Sequence, residues 1–191
     1  MNNSTKKPTA ENYAPLIWID MEMSGLEPEK DVILEVATII TTGSLEIIAE
    51  GPDLVLHHEK ALLEGMDDWN REHHRKSGLW MAVLESTLTL EEAGRQTLDF
   101  ITQHCQARKS PLCGNSIWQD RRFIAKYMKP VDAYLHYRMI DVSTIKELAR
   151  RWHPTILDKK EKKKGNHRAL DDIRESIDEL KFYKDHLFAK I

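Results

Sequence analysis

Four acidic residues and one histidine, far apart in a chain of 191 residues, could do chemistry together. The first pair, Asp20 and Glu22, stands in LIWIDMEMSG, from Leu16 to Gly25. The run is otherwise apolar and reads as a strand, in which side chains alternate between faces. Ile17, Ile19 and Met21 share one face; Trp18, Asp20 and Glu22 share the other. The two carboxylates therefore project together, where like charges repel. Burial adds to that cost. Three arrangements make the pair tenable: the open face of an edge strand, protonation of one group, or a cation bound by both.

Asp120, in CGNSIWQDRRF, falls early in a helix that follows a short strand. Ser116 and Gln119 have capping-box spacing, which predicts where that helix begins. An acid in a first turn also complements the helix dipole, so Asp120 alone does not define a site. In GNHRALDD, His167 opens a long helix, and Asp171 and Asp172 follow in its first turns. A helical wheel places both aspartates off the apolar stripe, on opposite flanks. Spacing favours Asp171 as the neighbour of His167, and periodicity does not select the functional one. As a set, acidic oxygen donors suit Mg²⁺ or Mn²⁺, whereas zinc recruits Cys or several His. Four carboxylates match the needs of two divalent ions that clamp the attacking and leaving oxygens of phosphoryl transfer. A histidine that titrates near neutrality can take the proton of an attacking water.

Strands and helices must bring these groups together. LIWIDMEM, DVILEVATIITTG and LEIIAEGPDLVLH read as three strands, the last two separated by a Thr-Gly-Ser turn. They predict an antiparallel meander. From about Glu59 the period becomes helical. TLEEAGRQTLDFITQHC carries Leu90, Ala93, Thr97, Leu98 and Ile101 at helix spacing. SPLCGNS reads as a short strand, and IWQDRRFIAKYMK as a helix stopped by Pro130. YLHYRMID reads as a strand and VSTIKELARRWH as a helix ending before Pro154. HRALDDIRESIDELKFYKDHLF is a long amphipathic helix with Leu170, Ile173, Ile177 and Leu180 as its stripe. Strands followed by alternating strands and helices imply an α/β fold, a mixed sheet with helices packed on it. The Lys159–Lys164 segment of LDKKEKKKGNH is a solvated loop that can also serve as a basic lip beside an anionic substrate.

Composition narrows the classes. Hydrophobic residues make up 41% and charged residues 31%, a globular mixture. The length suits one domain. No apolar run is long enough to span a bilayer, and the polar leader, residues 1–14, has no apolar segment of a secretory signal. Cys105 and Cys113 lack CxxC spacing and are expected as free thiols in the cytoplasm. The formal net charge of −3 argues against a protein that coats long nucleic acid. It leaves room for a short one held by local contacts and a metal.

In their order along the chain, DxE, then NSxxxD, then HxxxxD resemble the DEDD exonuclease superfamily in its histidine-bearing branch, and within it the oligoribonuclease family. The similarity runs from about Leu16 to the C-terminus through WIDMEMSGL, MDDWN, CGNSIWQDRRF, YRMIDVSTIKELARRW and HRALDDIRES. It implies an RNase H-like fold for residues 15–191. It also implies a 3′-to-5′ exoribonuclease that degrades very short RNA, down to dinucleotides, with two divalent ions, Mg²⁺ or Mn²⁺. Carried over by position, it makes Asp20, Glu22, Asp120 and Asp172 the metal ligands, which selects Asp172 over Asp171. It makes His167 the general base. Leu26 and Trp69 correspond to residues that pack on the bases, although a loop leucine and a core tryptophan are their plain readings. Ser116, His74 and Arg138 correspond to groups that hold the 5′ phosphate, and Tyr137 to an active-site tyrosine near them. Some of these act across an interface, so a homodimer is implied. The lysine-rich loop before His167 departs from the family pattern. Two alternatives are a related exonuclease acting on longer chains and a non-catalytic RNA-binding protein. The latter is expected to lack one of the four carboxylates.

Overall fold

The computed structural model describes residues 13–157 and 168–188. His167 and the Lys159–Lys164 loop lie outside the described residues, as does most of the leader. The meander forms as expected from β1 (Leu16–Met23), β2 (Ile33–Thr41) and β3 (Ile47–Val55). Three short helices follow: α1 (Lys60–Glu64), α2 (Asp68–Lys76) and α3 (Leu79–Glu85). Then come α4 (Leu90–His104), β4 (Leu112–Gly114) and α5 (Trp118–Tyr127).

The next stretch differs from the sequence reading. Pro130 ends α5 but also sits in the first turn of α6 (Lys129–Tyr134), where its missing N–H has no helical partner to lose. YLHYRMID is therefore mostly not a strand; only β5 (Met139–Asp141) is. The helices α7 (Val142–Trp152), α8 (Pro154–Leu157) and α9 (Ala169–Leu187) complete the described chain.

The strand order is β3-β2-β1-β4-β5. The β3–β2–β1 half is antiparallel and the β1–β4–β5 half is parallel. β1 is thus third in the order, but β4 pairs only its Ile17 and Trp18, so around Asp20 and Glu22 it has β2 alone as a strand neighbour. Its Ile17, Ile19 and Met21 face a core closed by Ala93 and Ile101 of α4, Phe123 and Ile124 of α5, and Val131 of α6. Its Trp18 faces the opposite layer, with Ala37 and Ile39 of β2 and Ile173, Ile177 and Tyr183 of α9. Burying side chains of this size stabilises the fold by roughly 1.5–3 kcal/mol each. The Trp18 indole N–H donates to Thr41 Oγ1 at 3.0 Å, so its polar end is matched inside the core. In α9 the expected stripe is present, with Ile173 and Ile177 buried and Leu170 and Leu180 partly buried. Asn115 Nδ2 donates to Ser176 Oγ at 2.8 Å, which ties the helix to the loop after β4.

Candidate metal centre

Pairing between β1 and β4 is confined to Ile17 with Leu112 and Trp18 with Cys113. Beyond it β1 continues beside β2, and Asp20 and Glu22 emerge at that end of the sheet. α9 covers Trp18 with its apolar stripe but begins only at Ala169. Its first turn, not its stripe, meets the acids. Asp172 comes from that turn, and carboxylate oxygens of Asp20, Glu22 and Asp172 lie within 4.8 Å of one another. All three residues are partly buried. Asp171 turns away, paired with Arg174 at 3.1 Å, and Arg174 reaches on to Glu50. The wheel could not separate the two aspartates; the docking of α9 on β1 and β2 does.

Asp120 stands outside the 4.8 Å group but adjoins it. It is 5% exposed, and its Oδ1 accepts the Met21 N–H at 3.1 Å. The helix acid thus takes up a strand donor that β4 is too short to reach. Burial pushes Asp120 up to about 7, against its backbone hydrogen bonds. Glu22 is pushed up to about 8 by burial first, then by the charges of Asp172, Glu35 and Asp120, with Arg168 opposing them. So many acids around one partly buried carboxylate call for a cation. The donors are oxygens only, which fits a hard divalent ion.

Glu35, absent from the motif-based candidates, also belongs to this region. It faces Glu22 in the β1–β2 register and is fully buried. Asp53, on β3, is pushed up to about 6 by burial and by Glu35 beside it. A lone charge in the apolar run ILEVATIIT was the available signal, because a buried carboxylate must be matched by donors.

The remaining candidates fall into four places. Leu26 and Trp69 are 64% and 66% exposed, so a core tryptophan is ruled out. The Trp69 ring stacks on His73 at 4.5 Å. The loop bearing Leu26 is fastened by α5: Gln119 Nε2 and Arg122 Nη1 donate to its carbonyl at 2.5 and 3.2 Å. His74 of α2 is buried, with Nε2 3.0 Å from Met23 O and Nδ1 3.9 Å from Glu22 Oε2. It adjoins Glu22 from within the fold.

Ser116 does not cap α5, which starts at Trp118 with no side-chain cap. Its N–H instead donates to Asp141 Oδ1 at 3.0 Å and Ser143 Oγ at 2.8 Å. That competition holds it at φ 52°, a left-handed conformation that is strained for a residue other than glycine. Tyr137 and Arg138 are exposed, with the guanidinium over the ring at 5.2 Å. β5 enters the sheet at Met139 beside Leu112 and leaves at Asp141 beside Gly114. Arg138 precedes that entry, whereas Ser116 and the carboxylates lie beyond the exit. Strand rise alone puts about 10 Å between Arg138 and Asp141 along β5.

The exonuclease family model, RNase_T, matches residues 17–180, and this sets the class. Curated relatives narrow it. The oligoribonuclease of Marinobacter nauticus is 56% identical over 173 residues, 91% of this chain and 96% of that one. Those of Klebsiella pneumoniae and Pseudomonas aeruginosa are 55% and 53% identical, covering 94% and 95% of this chain and 98% and 99% of theirs. The chain belongs to the oligoribonuclease family of exonucleases. Solved structures of exonuclease I share its fold. The E. coli enzyme in complex with a dT13 oligonucleotide has a TM-score of 0.68 at 13% identity, over 90% of this chain and 41% of that one. The enzyme from Methylocaldum szegediense has a TM-score of 0.65 at 16% identity, over 91% and 41%. The fold is therefore the RNase H-like α/β class, a mixed sheet flanked by helices.

Proposed function

We propose that this chain, a 3′-to-5′ exoribonuclease by its family, degrades very short oligoribonucleotides, down to dinucleotides, to nucleoside 5′-monophosphates. The observation that carries the reading is the convergence of Asp20, Glu22 and Asp172 within 4.8 Å on one face of the sheet, with Asp120 adjoining. These four carboxylates would hold two divalent ions, Mg²⁺ or Mn²⁺. When bound, such ions neutralise the scissile phosphate and acidify water. His167 takes the proton of the attacking water. Water adds to phosphorus, the bond from phosphorus to the O3′ of the preceding nucleotide breaks, and that O3′ gains a proton. The terminal nucleotide leaves with its 5′ phosphate.

The other residues select short substrates. Leu26 and Trp69 pack on the bases without reading them, since every base offers a flat face. Ser116, His74 and Arg138 hold the 5′ phosphate and close the path to a longer chain, with Tyr137 as an active-site tyrosine beside them. The position of Tyr137 and Arg138, at the far end of the sheet from the acids, supports a homodimer in which they serve the partner's site. The free, buried Cys105 and Cys113 support work in the reducing cytoplasm. No helix among the described residues is long and apolar enough to cross a membrane.

RNAs of graded length, from two to about ten nucleotides, offered with Mg²⁺ test the reading. Dinucleotides should disappear to mononucleotides fastest. Dinucleotides that accumulate as end products would assign the chain to the exonucleases of longer substrates.

A further inference from the structure

Glu35 is the single charge in ILEVATIIT, and its side chain has no exposed surface. Arg168 Nε donates to its Oε1 at 2.7 Å, with Nη2 2.5 Å from the same oxygen. The Ala169 N–H donates to Oε2 at 3.1 Å. Both donor residues open α9. A first-turn N–H has no partner within its own helix, so strand carboxylate and helix end satisfy each other. The link runs on to Asp172, whose N–H donates to the Arg168 carbonyl at 3.0 Å. On the sheet side, Glu35 faces Glu22 across the β1–β2 register. Glu35 thus touches both sides of the Asp20–Glu22–Asp172 cluster while its own oxygens are committed elsewhere.

We propose that Glu35 is a positioning residue for divalent-ion binding: through Arg168 and Ala169 it sets where α9 presents Asp172 to Asp20 and Glu22. This rests on the reading of those three carboxylates as ion ligands. An apolar stripe alone holds a helix against a sheet loosely along its axis and about it. Ion ligands tolerate far less displacement. A buried carboxylate that requires two specific donors supplies the missing register.

Calorimetric titration of the full chain with Mn²⁺ tests this. Glu35→Ala should weaken Mn²⁺ binding by about tenfold or more, as loss of groups that orient ligands does. Glu35→Gln, which keeps an acceptor for the Ala169 N–H, should weaken it less. Ser176→Ala, which loosens α9 farther along, should leave it within about twofold. Raising Mn²⁺ should restore most of the hydrolysis lost in Glu35→Ala. Arg168→Met separates positioning from plain charge. Removing a cation beside the cluster strengthens Mn²⁺ binding if only charge matters, and weakens it if Arg168 acts through Glu35. Affinity unchanged in folded Glu35→Gln, or raised in Arg168→Met, would overturn the proposal; these two variants decide it if Glu35→Ala does not fold. A wild-type chain that binds no Mn²⁺ would overturn the ligand assignment itself, and the proposal with it.

Discussion

Glu22 and Asp120 are harder to ionise in the folded chain than in the unfolded one. Their ordinary values of 4.5 and 3.8 rise to about 8 and about 7. Between the ordinary and raised values the folded chain holds more protons than the unfolded chain, so stability falls as pH rises. Below the ordinary values the effect is absent; above the raised ones it is complete. The metal-free protein should therefore melt at lower temperature at about pH 8 than at about pH 5, and saturating Mn²⁺ should remove most of the difference. Glu22→Gln should flatten this dependence, raise the metal-free melting temperature at about pH 8, and abolish hydrolysis. A Glu22→Gln melting profile that keeps the wild-type slope would mean that Glu22 is not the strained acid. At this scale the sequence was informative where motif spacing was specific. Strand alternation placed Asp20 and Glu22 on one face, as found, while their role as ion ligands rested on the family resemblance. Glu35 was not, because an isolated glutamate in a strand has no spacing partner until the fold brings Ala169 and Arg168 to it.

α5 joins the carboxylate cluster to the loop that carries Leu26. Asp120 in its first turn meets β1, while Gln119, Arg122 and Tyr127 hold the carbonyls of the Leu26 loop, Tyr127 through Pro28 and Asp31. The reach from ion ligands to the exposed leucine is thereby set by one helix. Tyr127→Phe removes the hydroxyl that serves both Pro28 and Asp31. It should raise the KM for a dinucleotide several-fold and leave kcat within about twofold. An equal fall in kcat with unchanged KM would place Tyr127 in the chemistry instead. The meander, α4, α7 and α9 were legible from hydrophobic period. Two elements were misread for identifiable reasons. Ser116 matched a capping box, but the Asp141 and Ser143 acceptors of the neighbouring helix start claimed its N–H. YLHYRMID carried enough aromatic and apolar residues for a strand, yet Pro130 opened a helix that ran to Tyr134.

At the scale of the molecule, Tyr137 and Arg138 precede the entry of β5 into the sheet while the carboxylates lie toward its exit, and the proposed homodimer would reunite them. Subunit mixing tests this. On the proposed reading, Asp172→Asn lacks an ion ligand, and Arg138→Ala lacks a phosphate partner that it would lend to its neighbour. Each should be nearly inactive alone. Their mixed dimer holds one complete site, built from the acids of the Arg138→Ala chain and the arginine of the Asp172→Asn chain. Mixing should restore dinucleotide hydrolysis; no restoration, with mixed dimers present, would place Arg138 in its own chain's site. The acids themselves are the centre of the account. Crystals grown with Mn²⁺ and examined by anomalous scattering test them most directly. Manganese is expected among the carboxylates of Asp20, Glu22 and Asp172, with Asp120 adjoining. Anomalous maps without manganese among those side chains, in crystals where the ion is abundant, would contradict the account.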